Sequence, residues 1–341
     1  MAKSVKLADI AAILNVSTVT VSKALADQKG VSEEMREKIK VLAREMGYKS
    51  PSSAKLAKVS KSYNVGVIIS DRYFDWHDSF YWKMYQEVAT MAVSKECFTM
   101  LEMLSQKSER ELQMPKLLVE DKVDGLIIIG VLKEDYLNML MQNIKVPFMC
   151  LDFYDKGHEC DAVITDNYYG MYKLTNHLFD MGHRDIAYVG TLLYTNSIMD
   201  RYFGYCKALL EHGRPLREDW IVSDRDMETG DQGKDFPFEM PREMPTAFVC
   251  NCDLTAGVLV GFLEKKGYRV PEDISVVGFD NYMLPGICNL GITTYEVDIK
   301  EMVRKTINIL IKKMNGEHYK KGINIVEGHM VIKESVKKRN S

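Results

Sequence analysis

Residues 16–25, VSTVTVSKAL, decide how the first part of this chain folds. Apolar and hydroxyl side chains alternate along them, as in a half-buried β-strand. The residues just upstream instead have the i, i+3, i+4, i+7 spacing of an amphipathic helix, at Leu7, Ile10, Ala11 and Leu14. A single strand in an otherwise helical segment would have no partner for its backbone hydrogen bonds. We therefore predict that this stretch contains a second helix.

The turn between these two helices supports that prediction. Asn15 tolerates the left-handed backbone conformation that ends a helix, and Ser17 can cap the next helix by accepting a backbone N–H. The apolar face of the second helix is then formed by Val21, Ala24 and Leu25. A third helix is predicted after Ser32 and before Gly47, with an inward face formed by Ile39, Leu42, Ala43 and Met46. Three short helices with a tight turn between the first two make a helix-turn-helix module.

The net charge of residues 1–62 indicates the kind of molecule that they bind. Residues 1–62 contain twelve Lys and Arg against six Asp and Glu, a balance of +6, whereas the remaining residues carry −9. A basic module on an acidic body is typical of a protein that binds a polyanion through the module alone. The outer side of the second helix is small and hydroxylic, which suits entry into a DNA major groove, although such a face is also compatible with simple solvation. The candidate DNA contacts are Ser17, Thr18, Val19, Thr20, Ser22 and Lys23.

Residues 4–25, SVKLADIAAILNVSTVTVSKAL, and residues 30–49, GVSEEMREKIKVLAREMGYK, resemble the amino-terminal DNA-binding domain of the LacI/GalR family of bacterial transcription regulators. The resemblance implies that Thr18 and Val19 read bases in the major groove. Lys23 stands where the family usually has Arg, so it would act as a point charge rather than a two-pronged donor.

A polar, basic segment follows at residues 50–62, SPSSAKLAKVSKS, and its composition is that of a linker. The resemblance implies a hinge that folds into a short helix on operator DNA and wedges a Leu into the minor groove. The usual family spacing places Ala57 at that position, with Leu56 one residue earlier. We take Leu56 as the candidate wedge, and a plain linker remains the alternative.

Seven apolar runs in the rest of the chain predict strands between helices: 65–70, 98–104, 124–130, 147–153, 185–190, 246–251 and 274–280. This alternation is typical of parallel sheets covered by helices, and the segment is long enough for two lobes. Ligands of such sheets bind at the carboxyl ends of the strands, here between the lobes. We predict a small all-α helix-turn-helix DNA-binding domain at 1–49, a hinge at 50–62, and an α/β body of two parallel-sheet lobes at 63–341.

Polar residues at strand ends are candidates for an effector site. Asp152, Asn251 and Asp280 each follow a predicted strand, and Arg201 opens a helical stretch after another. Carboxylate, amide and guanidinium groups together suit a polyhydroxylated molecule, and Phe80 and Tyr81 could stack on the apolar face of a sugar. Taken singly, an Asp at a strand end is often only a helix cap, and an aromatic residue is usually part of the core.

The family resemblance extends over nearly the whole chain through VDGLIIIG, HLFDMGHRDIAYVG, DRYFGY, ISVVGFDN and HMVIKES. It implies a body like the periplasmic binding proteins and effector contacts at Asp152, Arg201, Asn251 and Asp280, with Ser70 as an addition. His183 would be structural. Cys252, Arg225 and Val297 depart from the family pattern, which leaves the identity of the effector open.

The predicted function is a homodimeric DNA-binding regulator, most simply a repressor of carbohydrate-utilisation genes, that binds a palindromic operator and is controlled by a sugar or sugar derivative. The alternative is a sugar-binding protein without gene regulation, but that would need an export signal and no basic module. An enzyme is not predicted, because no G-x-G-x-x-G, P-loop or G-x-S-x-G motif occurs, and neither a cofactor nor a metal is expected. The absence of a signal-peptide pattern and of an apolar run of about 18 residues predicts a cytoplasmic protein.

Overall fold

The computed structural model describes residues 6–26, 28–46, 48, 62–73, 79–155, 157, 159–227, 230 and 236–339. The chain divides into two compact units, 1–62 and 63–341. Each unit has a hydrophobic core of its own.

The described residues of the first unit form three helices, α1 (Leu7–Ile13), α2 (Thr18–Leu25) and α3 (Glu33–Glu45). Residues 18–25 are therefore helical, as predicted, despite their strand-like alternation. The turn chemistry is also as predicted, since Asn15 has a φ of 50° and the Ser17 side chain accepts the Thr20 N–H at 3.0 Å. The buried apolar residues among those described in this unit lie at the predicted helical spacing: Ile10, Ala11, Val21, Ala24, Ile39 and Ala43.

The second unit begins with a six-stranded sheet in which every strand pair is parallel. Its strands are β1 (Asn64–Ser70), β2 (Phe98–Leu104), β3 (Gly125–Ile129), β4 (Phe148–Leu151), β5 (Ala162–Thr165) and β11 (Ile323–Val326), in the order β11-β5-β4-β3-β1-β2. The helices of this lobe are α4 (Phe80–Ser94), α5 (Gln106–Arg110), α6 (Lys116–Val119), α7 (Glu134–Asn143) and α11 (Ile299–Asn315). Helices α4 and α11 pack together over one face of the sheet, and α7 covers the other face.

The other lobe is built on a four-stranded parallel sheet in the order β7-β6-β8-β9. Its strands are β6 (Ile186–Val189), β7 (Ile221–Val222), β8 (Ala247–Cys250) and β9 (Ser275–Val277), and its helices are α8 (Asn167–Asp180), α9 (Asn196–Glu211) and α10 (Asp253–Lys265). A short antiparallel pair, β10 (Thr294–Glu296) and β12 (His329–Val331), completes the described strands. All seven predicted runs contain a strand, and the two-lobed α/β architecture is confirmed.

Among the described residues, no single helix is both long and apolar enough to cross a membrane. Only α1 and α2 together, with a bend of 107° between them, meet that criterion of length and composition.

Candidate functional site

The outer surface of α2 carries the predicted DNA contacts. Thr18, Val19, Ser22 and Lys23 are exposed, and Val19 is 60% exposed although it is apolar. The hydroxyls of Ser17 and Thr20 lie 2.8 Å apart and also take part in the helix cap. Thr18, Val19, Ser22 and Lys23 thus present the accessible surface, whereas Ser17 and Thr20 stabilise the start of the helix.

The candidate wedge of the hinge, Leu56, lies outside the described residues.

The second unit contains a cavity of about 340 Å³ at the carboxyl ends of strands from both sheets. Six of the seven predicted effector residues line it: Phe80, Tyr81, Asp152, Arg201, Asn251 and Asp280. The seventh, Ser70, is buried outside the lining. Its hydroxyl donates to Glu109 and accepts the Arg72 Nε–H at 2.9 Å.

Arg201 is fixed in the cavity wall by hydrogen bonds from all three guanidinium nitrogens. Nε donates to Asn167 Oδ1 at 2.8 Å, Nη1 to the Asn251 carbonyl at 2.5 Å, and Nη2 to Asp280 Oδ1 at 3.1 Å. The guanidinium carbon also lies 3.8 Å from the centre of the Phe279 ring. The guanidinium is therefore held rigidly, and it positions the Asp280 carboxylate.

Asp152 is a buried carboxylate that lacks a full set of partners. Its Oδ2 accepts the Tyr81 hydroxyl at 3.1 Å, but its Oδ1 has no hydrogen-bond partner among the described residues. Burial raises the pKa of Asp152 to about 7; Arg201 opposes this rise and Asp280 adds to it. Burial likewise raises the pKa of Asp280, against the effect of Arg201. An unpaired buried oxygen of this kind is stabilised by a ligand hydroxyl.

Asn251 lines the cavity, and its side chain mainly holds neighbouring residues in place. Its amide nitrogen donates to Asp224 Oδ2 at 2.7 Å and to the Val189 carbonyl at 3.1 Å, and its Oδ1 accepts from Arg225 Nη2 at 3.3 Å. The amide therefore orients Arg225, while the Asn251 backbone carbonyl holds Arg201.

The cavity also has lining residues that the sequence analysis did not propose as ligand contacts. They include Arg72, Tyr73, Ser79, Thr195, Ser197, Arg225, Cys252 and Tyr282. Arg72 follows the end of β1 by two residues and Arg225 follows the end of β7 by three. A wider search around strand ends would have found both.

His183 is structural, as predicted. Its Nδ1 lies 2.9 Å from Thr246 Oγ1 and its Nε2 lies 3.2 Å from the Lys337 carbonyl, and burial lowers its pKa to about 4. Within the described ranges, no group of three or more His, Cys, Asp or Glu residues is arranged to hold a metal ion.

A helix-turn-helix unit with an exposed polar recognition surface, joined to a two-lobed α/β body with a polar cavity, defines the class of ligand-responsive DNA-binding regulators. Residues 6–51 match the family described as bacterial regulatory proteins, lacI family, and residues 175–336 match the periplasmic binding protein-like domain.

Curated relatives are similar over nearly their whole length. The HTH-type transcriptional repressor PurR of Vibrio campbellii (strain ATCC BAA-1116) is 25% identical over 334 residues, which is 97% of this chain and 98% of the relative. The HTH-type transcriptional repressor CytR of Escherichia coli (strain K12) is 25% identical over 330 residues, 96% of this chain and 95% of the relative.

Solved structures share the fold. The transcriptional regulator CelR in complex with cellobiose has a TM-score of 0.66 at 22% identity, covering 97% of this chain and 99% of CelR. The lac repressor dimer bound to operator and the anti-inducer ONPF has a TM-score of 0.66 at 23% identity, covering 98% of this chain and 100% of that structure's chain.

The chain belongs to the LacI/GalR family of bacterial transcription regulators. It is a DNA-binding transcriptional repressor, like the curated relatives that it matches. The alternative of a sugar-binding protein without gene regulation is set aside by the helix-turn-helix match.

Proposed function

We propose that this repressor controls carbohydrate-utilisation genes and that its effector is a sugar or a sugar derivative bound in the 340 Å³ cavity. The observation that carries the proposal is the polar set of Asp152, Arg201 and Asp280. Among the described residues, Asp152 Oδ1 has no hydrogen-bond partner and Asp280 Oδ2 makes no hydrogen bond, so both carboxylates have an oxygen available to ligand hydroxyls. The CelR protein of the same fold was solved with cellobiose, which supports a carbohydrate effector.

Aromatic side chains supply the complementary apolar surface. Phe80 and Tyr282 lie with ring centres 6.0 Å apart, and Tyr81 packs against Tyr73 with ring centres 4.5 Å apart. These rings line the same cavity as the carboxylates. A sugar has hydroxyls at its edges and C–H groups on its faces, so it fits a site with carboxylates and aromatic rings.

We further propose that α2 reads the operator through Thr18, Val19, Ser22 and Lys23, with Ser17 and Thr20 close to the phosphates. The domain boundaries in this proposal are 1–49 for the DNA-binding domain, 50–62 for a hinge with Leu56 as its wedge, and 63–341 for the effector-binding and dimerisation domain. A palindromic operator matches the two-fold symmetry of a homodimer. A regulator that binds bacterial chromosomal DNA works in the cytoplasm, so the predicted location is part of this proposal.

Thermal melting of the full-length chain against monosaccharides, disaccharides, their phosphates and nucleosides tests the effector proposal. A ligand at about 100 times its Kd should stabilise the parent by about 2.7 kcal/mol and raise its Tm. Asp280→Asn keeps the size of the side chain but removes its charge, so we expect at least a tenfold loss of affinity.

Asp161→Asn serves as a control, because Asp161 is paired with Lys313 and does not line this cavity. The proposal is contradicted if no sugar raises the Tm of the parent. It is also contradicted if a sugar raises the Tm of Asp280→Asn as much as it raises the Tm of the parent and of Asp161→Asn.

A further inference from the structure

Three guanidinium groups line the cavity, and two of them have a terminal nitrogen with no hydrogen-bond partner among the described residues. Arg201 uses all three of its nitrogens in hydrogen bonds within the protein. Arg72 uses Nε toward Ser70 and Nη2 toward Glu109, and Arg225 uses Nε and Nη2 toward Asp224. Among the described residues, Nη1 of Arg72 and Nη1 of Arg225 have no hydrogen-bond partner. Each of these nitrogens carries two N–H groups.

Each of these two arginines is paired with a carboxylate that is fully buried. The side chains of Glu109 and Asp224 are 0% exposed, while those of Arg72 and Arg225 are each 12% exposed. Asp224 also accepts the Thr191 N–H at 2.8 Å. This support orients the two guanidiniums before any ligand arrives, which reduces the entropy that a ligand must overcome on binding.

Arg72 and Arg225 belong to the same region of the cavity. Tyr194 interacts electrostatically with both, and Tyr73 does so as well. The guanidinium carbon of Arg225 lies 5.2 Å from the centre of the Tyr194 ring, and that of Arg72 lies 6.0 Å from the centre of the Tyr73 ring. The electrostatic neighbours of Asp152 are instead Arg201 and Asp280. Asp280 has both Arg201 and Arg225 as electrostatic neighbours, so Asp152 is the cavity carboxylate whose neighbours include neither Arg72 nor Arg225.

We infer that the effector carries an anionic group, a phosphate ester or a carboxylate, that Arg72 and Arg225 bind together. This inference rests on the proposed function and narrows the class of sugar to an anionic derivative. A guanidinium nitrogen that faces a cavity can donate to an anion, and an anion with several oxygens can bind both arginines through charge-assisted hydrogen bonds. Because a carboxylate repels an anion, the anionic group lies beside Arg72 and Arg225, and the hydroxyls lie beside Asp152.

The test uses the full-length chain, with inorganic phosphate as a first probe at constant ionic strength. Phosphate should raise the Tm in a saturable manner, whereas chloride should not. Calorimetric titration then compares a neutral sugar, its phosphate ester and its sugar acid. We expect one of the two anionic forms to bind at least tenfold more tightly than the neutral form, and the form that does so identifies the anionic group.

Variants show whether the two arginines cause the preference for the anionic form. Arg72→Gln and Arg225→Gln should each reduce the preference for the anionic form at least fivefold. Because Arg72→Gln leaves the buried Glu109 carboxylate without its cationic partner, the double variant Arg72→Gln with Glu109→Gln restores neutrality. It should lose the preference for the anionic form in a stable protein. Arg304→Gln removes an arginine charge at a half-exposed position on α11 and should leave the preference unchanged.

Equal affinity for the neutral and anionic forms would overturn the inference while leaving the sugar proposal in place. The same holds if the preference persists in both arginine variants. If inorganic phosphate stabilises the parent through the two arginines but no sugar of any form binds, the anion site is supported and the carbohydrate proposal fails.

Discussion

Asp152 and Asp280, the two carboxylates of the cavity, share an unusual backbone conformation. Their φ angles are 68° and 99°, in a region that non-glycine residues rarely adopt. Both residues follow directly on buried segments of their sheets, where the chain must turn sharply to present a side chain to the cavity. Backbone strain of this kind is concentrated at functional sites, where the surrounding structure maintains it.

The raised pKa of Asp152 predicts a pH-dependent stability of the ligand-free chain. Its pKa is about 7 in the folded chain and about 3.9 when unfolded, so the folded state binds more protons between these values. The stabilisation from this group is present below about pH 4 and is lost as the pH rises through about 7. Asp152→Asn stays neutral, so it should gain stability relative to the parent by at most about 4 kcal/mol at pH 8, and little at pH 4. Urea unfolding followed by circular dichroism measures this difference.

Asp161 provides a control of opposite sign. Burial raises its pKa, but hydrogen bonds from Lys313 and Gly322 outweigh that effect and lower it. Its contribution is therefore present above its unfolded pKa, so Asp161→Asn should destabilise the chain at neutral pH and much less in acid. A pH-independent effect of Asp152→Asn would show that Asp152 is ionised like an exposed carboxylate.

At the scale of elements, the sequence predicted the strands that lie within apolar runs of six or seven residues. Seven apolar runs became strands, and the capping pattern at Ser17 correctly favoured helix α2 over a strand. The strands β5, β7, β10, β11 and β12 were not predicted, because none of them lies in an apolar run as long as those that contain the equally short strands β4, β6, β8 and β9.

The residues of the candidate effector site were likewise predicted only in part. The strand-end rule found Asp152, Asn251 and Asp280, but it could not show that Ser70 turns away from the cavity. Ser70 does so because Glu109, 39 residues later in the chain, accepts its hydroxyl. The role of Arg72 depends on the same distant carboxylate, and no local pattern encodes such a contact.

Helix packing beside the cavity gives a prediction at this scale. Gly204 of α9 lies against α8, and a Cβ there would overlap the backbone carbonyl of Tyr168. Because helix backbone cannot move aside as a flexible side chain can, Gly204→Ala should destabilise the body by about 1–3 kcal/mol. Thermal or urea unfolding of the ligand-free chain measures the change.

Gly261 of α10 is the matched control, because a Cβ there would meet nothing within 4 Å. Gly261→Ala should stabilise the chain by about 0.5–1 kcal/mol through helix propensity alone. Similar effects of the two substitutions would contradict the close packing of α8 and α9.

At the scale of the whole molecule, the two units differ in net charge and in the kind of site that each contains. Residues 1–62 carry +6 and contain the helix-turn-helix, whereas the body carries −9 and contains the cavity. The acidic body repels a DNA backbone, so the small unit must supply the phosphate contacts. Each unit also has its own buried core. DNA binding and effector binding should therefore be separable by deletion.

Removal of residues 1–62 should abolish operator binding and leave effector affinity within about twofold of the parent, because every described cavity residue lies beyond residue 62. Fluorescence anisotropy with an operator selected in vitro by the full-length chain, and calorimetry with the effector, measure the two activities. Full-length Lys23→Gln is the matched control. It should weaken operator binding and reduce the slope of log affinity against log salt concentration by about one, as expected for the loss of one phosphate contact. Effector binding should not change. Specific operator binding by the truncated chain would place DNA recognition in the body. Loss of effector binding would show that the cavity depends on the amino-terminal unit.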